Sequence, residues 1–153
     1  MLDSRVFRPE DMTAFDMRPQ DAIIADIRPG TRAWLGTLHA QSPAMTFTVD
    51  GAPIASIGID TPWEGYGLLW CQFSKDLRGY NRTLARRCRQ VFRIHLAHHN
   101  FRRVEAVVLT SDTAAVRFAE WLGMRLISVK PGYGPHGEHY SEYAIVREDV
   151  ADV

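Results

Sequence analysis

The hydrophobic residues of the chain follow two different periods, and each period predicts one type of element. Residues 45–49 alternate apolar and polar side chains, and the Asp50-Gly51 pair after them is typical of a two-residue hairpin turn. A return strand over 52–59 and a largely apolar strand over 66–73, with a turn over 60–65 between them, complete a predicted three-stranded meander.

Residues 81–98 instead repeat their apolar side chains every three or four positions, which predicts a long helix. Its apolar face is predicted to hold Leu84, Cys88, Val91 and His95, with Ala85, Phe92 and Leu96 beside them. Three more helices are predicted, over 18–27, over 31–39 with Thr31 as N-cap, and over 112–121 with Asp112 as N-cap. The remaining predicted strands cover 5–7, 103–109, 124–129 and 142–146.

The order of these elements is β, α, α, a three-strand meander, α, β, α, β, β. It predicts a mixed α/β (α+β) fold with a helical crossover within the sheet. The chain has 153 residues, which is about the length of one domain, and it holds no repeat or linker. We therefore expect a single domain over 1–153, with Trp34, Trp70 and Trp121 in its core.

Charge and cysteine usage narrow the class of protein. Lys plus Arg and Asp plus Glu both number 18, and this balance argues against nucleic acid or an anionic membrane surface as a partner. The sequence lacks a signal-peptide apolar region and any apolar run long enough for a membrane span, so we expect a cytoplasmic protein. Cys71 and Cys88 are expected to be free thiols.

A local motif adds a family resemblance. Residues 110–124 contain Asp112, Ala115, Phe118 or Trp121, and a closing Leu122-Gly123-Met124. This segment resembles the GNAT superfamily of acetyl-CoA-dependent N-acetyltransferases, in which an asparagine, an alanine, an aromatic residue and Leu-Gly-Phe occupy these places. The resemblance implies a GNAT-like domain, with a mostly antiparallel mixed sheet flanked by helices.

The N-terminal half narrows the resemblance. Four segments are similar to segments of small GNAT-like internal-virion or morphogenesis proteins of short-tailed phages. They are the Asp-Met-Arg-Pro motif at 16–19, Ala33-Trp34-Leu35, the hairpin over 47–58 and Gly67-Leu68-Leu69-Trp70. That similarity implies phage structural or assembly proteins as partners and the host cytoplasm or the virion as the location. Whether the chain forms an oligomer stays open.

The resemblance implies an acetyl-CoA site whose parts are altered. Members of the family bind the pyrophosphate with Gln/Arg-x-x-Gly-x-Gly/Ala, whose glycines let the backbone N–H groups approach the anion. Here Asn81 and Thr83 stand at the small positions and Asp76 adds a negative charge, so acetyl-CoA is expected to bind weakly or not at all. The cofactor-binding candidates are Leu69, Cys71 and Phe73 for the thioester and pantetheine, Arg78, Gly79, Asn81, Arg82 and Thr83 for the pyrophosphate, and Asp112 at the asparagine position.

The general base and the general acid of the family are also missing from their usual positions. The predicted strand over 66–73 carries no carboxylate, and Glu64 before it is the nearest one. Ala119 occupies the usual position of the tyrosine, so Tyr140 and Tyr143 are the remaining candidates for a general acid. Because positioned acids and bases contribute about 10²–10⁴-fold to a rate, these changes favour a phage virion or assembly protein with a degenerate site. The alternative is an active N-acetyltransferase for a small amine or a host protein.

Three further features have more than one interpretation. A stripe of arginines runs along the long helix, at Arg82, Arg86, Arg89 and Arg93. This stripe is either a basic surface that binds DNA, CoA or an acidic protein, or simply the solvated face of the helix. His95, His98 and His99 lack a third ligand at a recognised spacing, so we expect no metal. The aromatic, glycine-rich loops over 63–67 and 131–135 could line an acceptor groove, form a protein interface or pack as plain turns.

Overall fold

A computed structural model describes residues 1–147. Its strands are β1 (Leu2–Val6), β2 (Ala44–Val49), β3 (Ala52–Trp63), β4 (Tyr66–Phe73), β5 (Arg103–Leu109), β6 (Arg125–Lys130) and β7 (Tyr140–Val146). Its helices are α1 (Pro19–Ala25), α2 (Thr31–His39), α3 (Asn81–His98) and α4 (Thr113–Trp121), with a short 3-10 helix at Pro9–Thr13. The element order is the predicted one.

The strands form one mixed sheet in the order β1-β2-β3-β4-β5-β7-β6. β4 and β5 run parallel, with Tyr66 opposite Arg103 and Leu68 opposite Glu105. The pairs β1–β2, β2–β3, β5–β7 and β6–β7 are antiparallel. The prediction of a single α/β domain with a mostly antiparallel sheet is therefore confirmed, and α3 is the crossover between the two parallel strands.

Packing divides the chain into two compact units. The first contains Met1–Asp60 and Trp70–Cys88, and the second contains Thr61–Leu69 and the chain from Arg89 onward. In the first unit the core includes Phe47, Ile57 and Leu84, and in the second it includes Val104 and Ile145; each of these side chains is at most 1% exposed. Each unit thus buries apolar surface of its own, which is the main favourable term in folding.

Several element boundaries differ from the predicted ones. β3 continues to Trp63, so the turn before β4 is only the pair Glu64 and Gly65. Thr31 is the first residue of α2 and not its N-cap, which is Gly30 with a φ of 87°. The Asp50-Gly51 turn is confirmed, since both residues have a positive φ, as a type I′ turn requires.

Tryptophan burial was predicted wrongly at two of three positions. Trp34 is 63% exposed and Trp121 is 39% exposed, whereas Trp70 is half-buried. In α2 the contact with the 3-10 helix is made through Gly36, where a Cβ would clash with the Pro9 carbonyl. Close approach through a glycine leaves the bulky indole of Trp34 outside the contact.

The buried face of α3 is also rotated from the predicted one. Leu84, Cys88, Phe92 and Leu96 are each at most 4% exposed, at regular spacings of four. Val91 and His95 are only half-buried. Phe92 and Leu96, which were predicted beside the apolar face, thus belong to its buried centre, and Val91 and His95 lie at its margin. Among residues 1–147, no helix is long and apolar enough to cross a membrane.

Candidate functional site

The loop between β4 and α3 turns through two left-handed residues in succession. Arg78 has a φ of 55° and Gly79 a φ of 82°. The Arg78 N–H donates to Oδ1 of Asp76 at 2.9 Å, and the Asp76 N–H donates to Oγ of Ser74 at 3.2 Å. A left-handed arginine is uncommon, so these bonds are needed to hold the turn. A Cβ added to Gly79 would meet no atom within 4 Å, which leaves the outer side of the turn open.

The first amide groups of α3 follow this turn. The Leu84 N–H donates to the Tyr80 carbonyl at 2.8 Å, so Tyr80 is the N-cap residue. The N–H groups of Asn81, Arg82 and Thr83 therefore have no acceptor within the helix. All three residues are exposed. Open N–H groups, the positive end of an 18-residue helix and the Arg82 guanidinium together make a favourable environment for an anion.

The end of β4 is only partly available as a backbone surface. Phe73 uses both of its backbone groups: its carbonyl accepts from the Arg18 N–H at 2.9 Å, and its N–H donates to Oδ2 of Asp21 at 3.1 Å. These bonds leave Phe73 with no free N–H for the predicted thioester contact. Sequence reasoning missed this because the two partners lie more than fifty residues away in the chain.

The β4 thiol and the α3 thiol are both inert groups. Burial raises the pKa of the Cys71 thiol well above its usual value, with the neighbouring Cys88 and Asp21 adding to the effect. Burial alone raises the pKa of Cys88 to about 12. A thiolate nucleophile is therefore disfavoured at both positions, and the two cysteines are free as predicted.

Tyr140 and Tyr143 lie on β7, opposite Leu109 and Ala106 of β5. Tyr140 is 5% exposed, and its hydroxyl has no hydrogen-bond partner within residues 1–147. Burial raises the pKa of Tyr140, with a smaller contribution from the Glu138 carboxylate, and burial likewise raises the pKa of Tyr143. A buried hydroxyl that bonds no protein group is unusual, and it is able to bond a water or a ligand.

Glu64 lies apart from the predicted thioester segment, whereas Asp112 takes its predicted place as a helix cap. Glu64 is exposed in the two-residue turn before β4, five residues and about 16 Å of extended chain from Leu69. Asp112 is 6% exposed and accepts a bond from the Ala115 N–H at 3.3 Å, which makes it the N-cap of α4. The structure thus keeps Glu64 away from the predicted thioester segment and confirms Asp112 as the N-cap of α4, while its cofactor role stays a prediction.

A buried histidine–aspartate pair was missed by the sequence analysis. Nδ1 of His39 lies 2.8 Å from Oδ2 and 3.0 Å from Oδ1 of Asp60, and the imidazole stacks on Trp70. The two residues are twenty-one positions apart, and no local spacing connects them. Only the antiparallel register of the meander brings the end of α2 to this part of β3.

The arginine stripe of α3 divides into two kinds of residue. Arg82, Arg86 and Arg93 are exposed, as a solvated helix face requires. Arg89 is half-buried instead, with its guanidinium carbon 4.6 Å from the centroid of the Trp121 ring. This cation–π contact removes Arg89 from the predicted basic surface. Within residues 1–147, no three His, Cys, Asp or Glu side chains are grouped so that they could hold a metal ion.

Comparison with solved structures places the fold among acetyltransferases. Ard1 from Thermoplasma volcanium is 20% identical with a TM-score of 0.75, covering 95% of this chain and 97% of its own. The N-acetyltransferase from Staphylococcus aureus Mu50 is 16% identical with a TM-score of 0.72, covering 95% and 98%. The GNAT-family acetyltransferase from Bacillus anthracis is 16% identical with a TM-score of 0.65, covering 96% and 95%.

These similarities establish the GNAT fold, and at such identities they establish the fold alone. No protein-family model matches the sequence, and no curated protein matches it either. The expected GNAT scaffold is therefore confirmed. The narrower resemblance to phage internal-virion proteins gains no support from the similar structures, which are acetyltransferases.

Proposed function

We propose that this protein is an acetyl-CoA-dependent N-acetyltransferase, the alternative that the sequence analysis left second. The observation that carries the proposal is the open N-terminus of α3 after the left-handed turn at Arg78 and Gly79. The fold is shared with acetyltransferases over nearly the whole chain. The phage-assembly role and its structural partners stay predictions.

In the first unit, the N–H groups of Asn81, Arg82 and Thr83 would bind the pyrophosphate of CoA, with the Arg82 guanidinium supplying charge. This assignment departs from the expected degenerate cradle. The carboxylate of Asp76 accepts the Arg78 N–H and so helps to hold the turn, in addition to carrying the negative charge that the sequence analysis weighed. Asn81 and Thr83 are both exposed.

When bound, acetyl-CoA supplies an acetyl group activated as a thioester. A neutral amine attacks the carbonyl carbon, the new C–N bond forms and the C–S bond breaks. The nitrogen gives up its surplus proton to solvent water, and the sulfur leaves as a thiolate that needs a proton. In the second unit, the buried Tyr140 hydroxyl is the candidate donor of that proton, because it bonds no other group of residues 1–147. Holding the two reactants together supplies the rest of the rate enhancement.

The direct test is release of the CoA thiol from acetyl-CoA in the presence of amines. Spermidine and a tripeptide with a free N-terminus represent small-amine and protein acceptors. Thiol release that depends on the amine supports the proposal, and mass spectrometry of the acceptor should show one added acetyl group. Release that never exceeds the rate without protein, for any amine tried, would contradict it.

A further inference from the structure

An open groove of about 400 Å³ lies in the second unit, at the start of β4 and β5. It is lined by Trp63, Gly65, Tyr66, Arg102, Arg103 and Glu105. The proposed pyrophosphate loop follows the other end of β4, so the groove is a separate feature of the chain. Its volume falls in the range of small-molecule sites, about 300–1,000 Å³.

One wall of the groove is an aromatic platform. The rings of Trp63 and Tyr66 stack across the Glu64-Gly65 turn, with centroids 4.4 Å apart and planes 17° from parallel. Trp63 is nevertheless 62% exposed. One face of its indole thus lies against Tyr66, and the other is free to stack on a planar ligand.

Hydrogen bonds to Glu105 hold the aromatic platform in place. The Tyr66 hydroxyl donates to Oε2 of Glu105 at 2.6 Å, and Nε of Arg103 donates to Oε1 of Glu105 at 2.5 Å. Burial acts against ionisation of Glu105, but these two hydrogen bonds prevail and lower its pKa. Burial and the same carboxylate raise the pKa of Tyr66 to about 12. Glu105 is therefore an ionised carboxylate with both oxygens already bonded.

Two guanidinium groups give the groove its remaining charge. Arg102 lies against Gly65, where a Cβ would come 2.6 Å from its Cζ, and its Nη2 donates to the Glu64 carbonyl at 2.8 Å. Arg103 reaches Glu105 through Nε, and its two terminal amino groups bond no other part of residues 1–147. Among the residues that line the groove, Glu105 neutralises one of the two positive charges, and one positive charge remains together with N–H donors beside the indole.

We propose that this groove binds a small planar aromatic compound that carries an anionic group, the chemistry of a nucleoside monophosphate. The base stacks on the outer face of Trp63, and the phosphate is bonded by Arg102 and Arg103. A positively charged amine is disfavoured here, because the local charge is positive. The groove at the 63–67 loop is thus a ligand site other than the acceptor groove that the sequence analysis considered for this loop.

The test is calorimetric titration with guanosine 5′-monophosphate, chosen because CoA contains adenine and not guanine. Guanosine and ribose 5-phosphate, the two halves of this probe, should each bind at least about tenfold more weakly than the whole. Trp63→Ala should weaken binding about tenfold, since stacking of a base on an aromatic side chain is worth roughly 1–3 kcal/mol. Trp34→Ala is the matched control, because Trp34 is 63% exposed on another element.

A second variant tests the charged half of the groove. Arg102→Gln should weaken the binding of the nucleotide and leave the affinity for guanosine unchanged. Arg93→Gln, at an exposed arginine of α3, should change neither affinity. Thermal melts establish that each variant is folded. The proposal is overturned if the nucleotide does not bind at about 10 mM, if Trp63→Ala and Trp34→Ala have equal effects, or if a single-stranded oligonucleotide binds more tightly than the mononucleotide.

Discussion

Nδ1 of His39 lies 2.8 Å from Oδ2 of Asp60, and the imidazole ring stacks on Trp70 with ring centroids 3.9 Å apart and planes 13° from parallel. His39 is 5% exposed and ends α2, while Asp60 lies in the extension of β3. Phe7 meets the same indole edge-on, with centroids 5.2 Å apart. The pair therefore ties a helix to the meander at a point where polar groups are largely removed from water.

Replacing Asp60 by alanine should lower the free energy of unfolding by about 2 kcal/mol, because a hydrogen bond to a charged group is lost and a buried nitrogen is left without its partner. Asp16→Ala is the control, since the Asp16 carboxylate is 81% exposed and its ion pair with Lys75 should contribute less than about 0.5 kcal/mol. Urea denaturation measures both. Equal losses for the two variants would show that the His39–Asp60 bond contributes no more than a surface pair.

Asp11 should make the free energy of unfolding depend on pH in the acidic range. Its carboxylate accepts from Arg5 at 2.7 and 2.8 Å and from Thr46 at 2.7 Å. Burial acts against ionisation, but the Arg5, Thr46 and Arg8 hydrogen bonds prevail and hold the pKa of Asp11 below its usual value of 3.8. A lowered pKa contributes stability that is complete above the unfolded-state value and is lost as the pH falls through the folded-state value.

Asp11→Asn should therefore be less stable than the unchanged protein at neutral pH, and the difference should shrink as the pH is lowered below the usual carboxyl pKa of 3.8 and through the lower pKa of the folded state. Asp3→Asn, at an exposed position of β1, should show no such convergence. Denaturation curves at several pH values provide the comparison. A difference that stays constant down to the lowest pH would mean that the ionised state of Asp11 is not what stabilises the fold.

The sequence predicted the fold well because its strongest patterns are local. The Asp50-Gly51 turn, the period-two strands and the Asp112 cap each depend on residues within a few positions, and all are present. The failures depend on contacts between distant segments. Trp34 is left outside because Gly36 makes the close contact of α2, and the α3 face is rotated toward Phe92 by what it packs against.

Two variants of Asp112 distinguish a structural role from a role in cofactor binding. Asp112→Ala should lower the free energy of unfolding by about 1 kcal/mol through loss of the N-cap of α4. Asp112→Ser keeps a capping oxygen and removes the carboxylate, so it should be nearly as stable as the unchanged protein. If Asp112 only caps the helix, acetyl-CoA affinity should also be unchanged in the serine variant. A large loss of affinity there would restore the cofactor role that the family motif implied.

Tyr140→Phe distinguishes catalysis from packing. The Tyr140 hydroxyl is buried without a partner in residues 1–147, so its removal should leave stability unchanged or slightly higher. If the hydroxyl protonates the leaving thiolate, kcat for thiol release should fall about 10²-fold or more. Tyr133→Phe, at an exposed ring beside it, is the control and should keep full activity. An unchanged kcat in Tyr140→Phe would remove this residue from the mechanism.

The candidate site was less predictable than the fold, for a physical reason. Motif spacing located the loop before α3, and it treated Asn81 and Thr83 as obstacles from residue size alone. At the tyrosine position of the motif it found only Ala119, so Tyr140 was named as a remaining tyrosine and stays a prediction. Asn81 and Thr83 are both exposed, and whether their side chains obstruct an anion depends on the direction in which they point, which spacing in the sequence does not give. Spacing also could not show that Phe73 uses its backbone groups to hold the segment before α1.

The proposed activity depends on binding of acetyl-CoA at the N-terminus of α3, and calorimetric titration of the protein with acetyl-CoA measures that binding. We predict a dissociation constant in the micromolar range, about 1–100 µM, where the altered motif alone leads to an expectation of about a millimolar or weaker. Arg82→Glu, in the first turn of α3, should weaken binding at least about tenfold, and Arg93→Glu, an exposed arginine later on the same helix, should not. Absence of binding at about 1 mM, or equal affinities for the two variants, would contradict the account.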